Sequence, residues 1–193
     1  FRDGKINRSF YHRLEFFEHN VSERELAAQL RKELNKSVAE CLSAQPTGSF
    51  LSGGLDSSTV TGVFQSLSDG PVDAFAIGFD AAGFDEMEYA RASARHFGVS
   101  LQEYYVTPDD VLNAIPLIAS AYDEPFGNAS AIPAYYCAKL ARESGKTCLL
   151  AGDGGDEIFA GNARYAKQKI FDLYQHIPDF IKGALVEPMA FNL

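Results

Sequence analysis

Ser49-Phe50-Leu51-Ser52-Gly53-Gly54-Leu55-Asp56-Ser57-Ser58 is the stretch on which the fold turns. Ser49-Phe50-Leu51 suits a short apolar strand, and it runs straight into two consecutive glycines. Beyond them Val60, Val63, Phe64 and Leu67 fall at i, i+3, i+4 and i+7, which is the period of an amphipathic helix. Strand, glycine turn and helix together make the first half of a βαβ unit.

The same alternation continues downstream. Asp69-Gly70-Pro71 stops the helix, and residues 72–79 are apolar apart from Asp73, as expected of a parallel strand covered on both faces. Asp85 with Glu88 predicts the cap of a third helical segment, with Gly98 as its left-handed C-cap. Residues 99–106 read as a less apolar strand nearer the sheet edge. Thr107-Pro108 opens a helix that Pro116 is expected to kink or restart. Residues 130–144 form another helix, with Ile132, Tyr136 and Leu140 on one side, ending at Gly145. A fourth strand spans 146–151, and the loop 152–157 leads into a last helix. Strands alternating with helices predict an α/β fold, a doubly wound parallel sheet.

Upstream, Ser22-Glu23-Arg24-Glu25 fits a capping box, and Leu26, Leu30, Leu34 and Val38 form one apolar stripe expected to lie against a core. Residues 1–20 carry an Asp3-Gly4 turn signal and the aromatics Phe10, Tyr11, Phe16 and Phe17. They are expected to be the tail of a preceding domain or a linker. The chain opens on Phe1 and closes soon after the loop at 152–157, so a piece of a longer protein is expected.

Composition limits the function. Among 193 residues, 17 Lys and Arg stand against 26 Asp and Glu, a formal charge of −9 that disfavours a nucleic-acid backbone or an anionic membrane as partner. A small polyphosphate is still admissible, because backbone N–H groups and metal ions can hold it. Apolar runs such as 74–77 are far too short to span a bilayer. Cys41, Cys137 and Cys148 lack metal-ligand spacing and read as reduced, cytosolic core residues. His12, His19, His96 and His176 are scattered and read as surface or linker residues.

Two loops carry the chemistry, and in such a sheet both fall beyond strand C-termini, where ligands bind. In Ser52-Gly53-Gly54-Leu55-Asp56-Ser57-Ser58 the glycines let backbone N–H groups approach an anion, the serines add hydroxyls, and the helix N-terminus adds partial positive charge. Asp56 would repel a phosphate unless a Mg²⁺ ion stood between them. Ala151-Gly152-Asp153-Gly154-Gly155-Asp156-Glu157 puts three acids beside three glycines, again calling for a cation. A metal shared with Asp56 would connect the loops. Two lookalikes fail: Gly145-Lys146-Thr147 has Leu140 where a P-loop needs glycine, and Ser52 has Phe50 where a nucleophile elbow needs glycine.

The loop at 52–58 resembles the pyrophosphate loop of the N-type ATP pyrophosphatases. Within that group the chain is similar to the synthetase domain of the glutamine-hydrolysing asparagine synthetase family. The likeness rests also on residues 74–79, Asp85-Glu86, Asp123-Glu124-Pro125-Phe126, Ser130-Ala131-Ile132-Pro133, the acidic loop, and Arg164-Tyr165, all in order. It implies an adenine nucleotide alpha hydrolase-like fold over 21–193, cut short at its C-terminus, preceded by the tail of a glutaminase domain at 1–20.

The resemblance further implies a two-step ligase. Aspartate's carboxylate attacks the α-phosphorus of ATP, pyrophosphate leaves, and ammonia displaces AMP to give asparagine. By the same resemblance Ser52, Gly53, Gly54, Asp56, Ser57 and Ser58 hold pyrophosphate, Asp56 and Asp156 hold Mg²⁺, and Leu51, Ile77 and Gly152 flank the adenosine. Asp153 is the candidate proton acceptor. Implied partners are ATP, aspartate or another carboxylate, and ammonia from a glutaminase domain outside this chain, with neither nucleic acid nor membrane. A homodimer is kept as an option, in the cytoplasm. The family's catalytic lysine is expected beyond Leu193. Two alternatives stand: a relative acting on another carboxylate, of the β-lactam synthetase or another amidotransferase kind, and an ATP-binding piece without turnover.

Overall fold

The computed structural model describes residues 4–6, 8–13, 15, 20–42, 45–80, 85–125, 128–159, 161 and 163–188. Asp3, Phe16, Phe17, His19 and Phe126, named above, lie outside the described residues. The chain divides into two units, residues 1–33 and 34–193. In the first, the predicted capping box is present: the Ser22 amide donates to the Glu25 carboxylate at 2.9 Å, and the Glu25 amide donates back to the Ser22 hydroxyl at 3.3 Å. Helix α1 (Glu23–Cys41) starts there. Its stripe is only partly used, because Val38 is buried while Leu26 and Leu30 are exposed. Helical period tells which residues share a face, not whether anything covers it.

The second unit is built on four parallel strands, β1 (Thr47–Phe50), β2 (Asp73–Phe79), β3 (Ser100–Val106) and β4 (Cys148–Leu150), in the order β3-β2-β1-β4. Strand β2 is central in burial, and its side chains alternate between two layers. Ala74 and Ala76 meet Met87, Ala90 and Ala94 of α3 (Met87–Phe97), joined by Leu51. Phe75 and Ile77 meet Cys137 and Ala141 of α5 (Ala131–Glu143) on the other face. Phe64 of α2 (Leu55–Ser66) packs with Val38, Val72 and Leu150. Burying a side chain such as Phe75, 1% exposed, contributes about 1.5–3 kcal/mol. Helices on both faces of a parallel sheet make the doubly wound architecture that the alternation predicts. Strand β3 is one edge, as its weaker apolar character implies, and β4 is the other edge among the described strands.

The punctuation is mostly as expected, with local corrections. Gly98 ends α3 at φ +72°, and Gly145 follows α5 at φ +78°. The N-cap of α3 is Glu86 and not Asp85, so the expected Asp85–Glu88 box does not form; the Asp85 carboxylate, one residue earlier, accepts from the Met87 amide at 3.2 Å. Thr107 and Asp110 form a second capping box at the head of α4 (Pro108–Ala121). Pro116 does not restart that helix, which runs through it. The carbonyl it deprives of a donor belongs to exposed Leu112, where water can substitute. Leu67 and Cys41, expected in the core, are exposed. Both stand at helix ends, where the face turns out of the core.

Beyond β4 come a short helix α6 (Gly155–Phe159) and then α7 (Ala163–Gln175). Among the described residues no helix is long and apolar enough to cross a membrane.

Candidate active site

The strand order reverses between β1 and β4, since successive strands run from β1 through β2 to β3 on one side and β4 lies on the other. Loops leaving adjacent strands diverge at such a switch point and leave a crevice. Here the crevice is a cleft of about 900 Å³, within the size range of small-molecule sites. Both sequence-predicted loops line it.

The first loop is held by its own hydroxyls. The Ser52 amide donates to the Ser57 hydroxyl at 3.2 Å, the two serine hydroxyls lie 2.9 Å apart, and the Gly54 amide donates to the Ser52 hydroxyl at 3.2 Å. Gly53 takes φ +84°, and a Cβ there would come within 2.5 Å of the Ala90 nitrogen, so glycine is required twice over. Below, Thr61 donates to the buried Ser49 hydroxyl at 3.0 Å and ties α2 to β1.

The second loop lies directly on the first. A Cβ on Gly152 would sit 2.7 Å from the Asp56 carbonyl carbon and the Ser57 nitrogen, and one on Gly155 would strike the Asp56 carboxylate. Gly161 stands in the same relation to the Asp156 carboxylate. Absent side chains therefore create the room that two acidic groups occupy. The lining carries Asp56, Asp153, Asp156 and Glu157, and no Lys, Arg or His among the described residues. Three His, Cys, Asp or Glu side chains gathered to hold a metal unaided are not found among the described residues.

Not every expected residue faces the cleft in the same way. Ser52, Gly54, Asp56, Ser57, Ile77, Gly152, Asp153 and Asp156 line it with their side chains or main chain. Leu51 lines it too, yet is only 1% exposed and packs into the core against α3, so it offers the cleft little beyond its backbone. Gly53 and Ser58 are not among the lining residues, and both turn toward α3.

One wall was not assigned to the site from the sequence, although Ser130 and Pro133 belong to a segment that carries the likeness. Asn128, Ser130, Pro133, Ala134 and Cys137 bring the start of α5 to the cleft. The Asn128 carboxamide oxygen accepts from the Ser130 amide at 3.0 Å, an Asx-type turn that opens the helix. Pro133 and Cys137, one helical turn apart, were the readable signal. Cys137 donates weakly to the Phe75 carbonyl at 3.5 Å, and burial pushes its thiol up to about 12, so it is inert as a nucleophile.

Residues 29–191 match the family described as asparagine synthase. The chain belongs to that family. It is 31% identical over 189 residues to "Asparagine synthetase [glutamine-hydrolyzing] 1" of Bacillus subtilis (strain 168), covering 97% of this chain and 30% of that protein. It is 33% identical over 180 residues to "Putative asparagine synthetase [glutamine-hydrolyzing] 2" of Methanocaldococcus jannaschii, covering 92% of this chain and 35% of that protein. The chain thus spans about a third of the length of these curated relatives. Among solved structures, NMN synthetase from Francisella tularensis is 17% identical with a TM-score of 0.43, over 67% of this chain and 54% of that one.

Proposed function

We propose that residues 21–193 form the ATP-activating part of an AMP-forming amide ligase that makes asparagine from aspartate in the cytoplasm, with residues 1–20 the tail of a glutaminase domain. The observation that carries this reading is the contact of Gly152 and Gly155 with Asp56, which joins the two loops around one cleft at the switch point. The family membership supports it.

In this reading the triphosphate enters over the first loop. The hydroxyls of Ser52 and Ser57 and the amides in the first turn of α2 hold the pyrophosphate. Phe50 and Ile77, both half-buried, supply an apolar bed for adenosine, with the main chain of Leu51 and Gly152 beside it. Four acids without a described cation make a site that repels a polyphosphate by itself, and the acids that rest on Gly155 and Gly161 suit a Mg²⁺ ion. Asp56 and Asp156 would hold it, and it would neutralise charge on the departing pyrophosphate.

The carboxylate oxygen of aspartate bonds to the α-phosphorus as the bond to pyrophosphate breaks. Ammonia then bonds to the acyl carbon, AMP leaves with the electron pair, and a proton from the attacking nitrogen passes to Asp153. That carboxylate is exposed at the rim of the cleft, where an incoming amine can reach it.

The test is pyrophosphate release with ATP, Mg²⁺ and a panel of carboxylates, run on this chain and on any longer protein that contains it. Release with aspartate, followed by asparagine when ammonia is added, is the expected result. Release with another acid and none with aspartate would overturn the asparagine assignment. ATP binding without release from any acid would leave a nucleotide-binding piece.

A further inference from the structure

Ser58 sits in the loop expected to hold pyrophosphate, yet its hydroxyl lies 3.1 Å from the Ser93 hydroxyl of α3 in a part-buried contact. Gly53 leans on the same helix, with no room for a Cβ against the Tyr89 and Ala90 backbone. The loop therefore meets α3 at two points, one backbone and one side chain, within residues 89–93.

Helix α3 is a firm support. Met87, Ala90 and Ala94 are buried against β2 together with Leu51. The Asp85 carboxylate accepts from the Met87 amide and from the Tyr105 hydroxyl, both at 3.2 Å. Arg91 grips the Glu103 carboxylate, its Nε donating at 2.9 Å. Both partners of Asp85 and Arg91 beyond α3 lie on edge strand β3, so the helix is fixed to the sheet independently of the loop.

The first turn of α2 is tied toward β1 through Ser57 and Ser52, and toward α3 through the Ser58 hydroxyl. Its amides run along the helix, the Ser58 amide donating to the Gly54 carbonyl at 3.1 Å, and they do not set the direction in which the turn points. We propose that Ser93 is a positioning residue for the nucleotide site: through the Ser58 hydroxyl it aligns the first turn of α2, whose N–H groups and dipole face the triphosphate. This rests on the ATP-binding reading above. Small displacements matter at such a site, because anion-binding amides act only when aimed at the charge.

The test combines isothermal titration with Mg²⁺–ATP and hydrogen exchange of the amides at 55–58, on Ser93→Ala, Ser58→Ala, the double variant and Ser93→Thr. Ser93→Ala is expected to bind about fivefold more weakly, the size of one hydrogen bond. Its 55–58 amides should exchange faster, its thermal midpoint should hardly move, and Ser93→Thr should recover the affinity. In the Ser58→Ala background Ser93→Ala should add nothing. Unchanged affinity in Ser93→Ala, or the same loss with Ser58 already removed, overturns the inference. Should the unsubstituted chain fail to bind Mg²⁺–ATP, the nucleotide reading falls, and the exchange rates alone then decide whether Ser93 aligns the turn.

Discussion

The two loops that meet in the cleft are built in opposite ways. Residues 52–58 carry their own scaffolding, in which hydroxyls of Ser52 and Ser57 satisfy loop amides and each other. Residues 152–157 take their shape from what lies beneath, since Gly152 and Gly155 rest on Asp56. The first is preorganised by local hydrogen bonds and the second by a tertiary contact. A loop of the first kind loses little when one bond is cut. A loop of the second kind is displaced as a whole when its seat is filled.

The contrast predicts unequal responses. Gly152→Ala should have the largest effect: its Cβ would meet backbone atoms that cannot swing away, at a cost of roughly 1–3 kcal/mol. Urea unfolding should show that loss, and titration should show Mg²⁺–ATP affinity reduced at least tenfold. Gly154→Ala sharpens the point, because φ there is +89° yet a Cβ would meet nothing within 4 Å. It should cost only the backbone term, about 1–2 kcal/mol, and leave more of the affinity. Equal losses in binding would mean that the seat on Asp56 is unimportant.

Asp56→Ala comes next. It should abolish the Mg²⁺-dependent part of ATP binding, and the loss of the carboxylate on which Gly155 rests should lower the thermal midpoint slightly. An unchanged Mg²⁺ response would break the idea that the loops share a cation. Ser57→Ala should be milder, about 0.5–1.5 kcal/mol in stability, because one hydroxyl leaves while Ser52 still caps Gly54. Hydrogen exchange at Ser52 should rise without a change at 152–157.

The smallest effects lie outside both loops. Thr107 bonds hold the Asp110 carboxyl below the usual carboxylate range. Its contribution to stability is present above the unfolded value of about 3.9 and is lost as pH falls through the lower folded value. Thr107→Ala should partly flatten that acid limb in denaturation measured as pH falls below the unfolded value, since the hydroxyl bond goes while the residue 107 amide still donates.

Much of this architecture was legible in the chain because it depends on near neighbours. Ser22 with Glu25, Thr107 with Pro108, and Gly98 announce helix ends through bonds that span three or four residues. The unbroken apolar run of β2 announces a strand covered on both faces. The acidic and glycine-rich composition of the two loops singled out the segments that line the cleft. Leu26 and Leu30, Pro116 and Cys41 were misjudged for one shared reason: each depends on whether another element covers that spot, which periodicity does not encode.

The sequence by itself therefore determined the order of elements, the places where they stop, and the chemical character of the cleft. Only the tertiary structure decided that Gly152 and Gly155 sit on Asp56, that Ser58 turns to Ser93, that Leu51 gives its side chain to the core, and that Asn128 and Cys137 wall the site. Backbone capping and apolar period act within one or two helical turns. The contacts that assemble the cleft join residues about a hundred positions apart, and only the packing of the sheet brings them together.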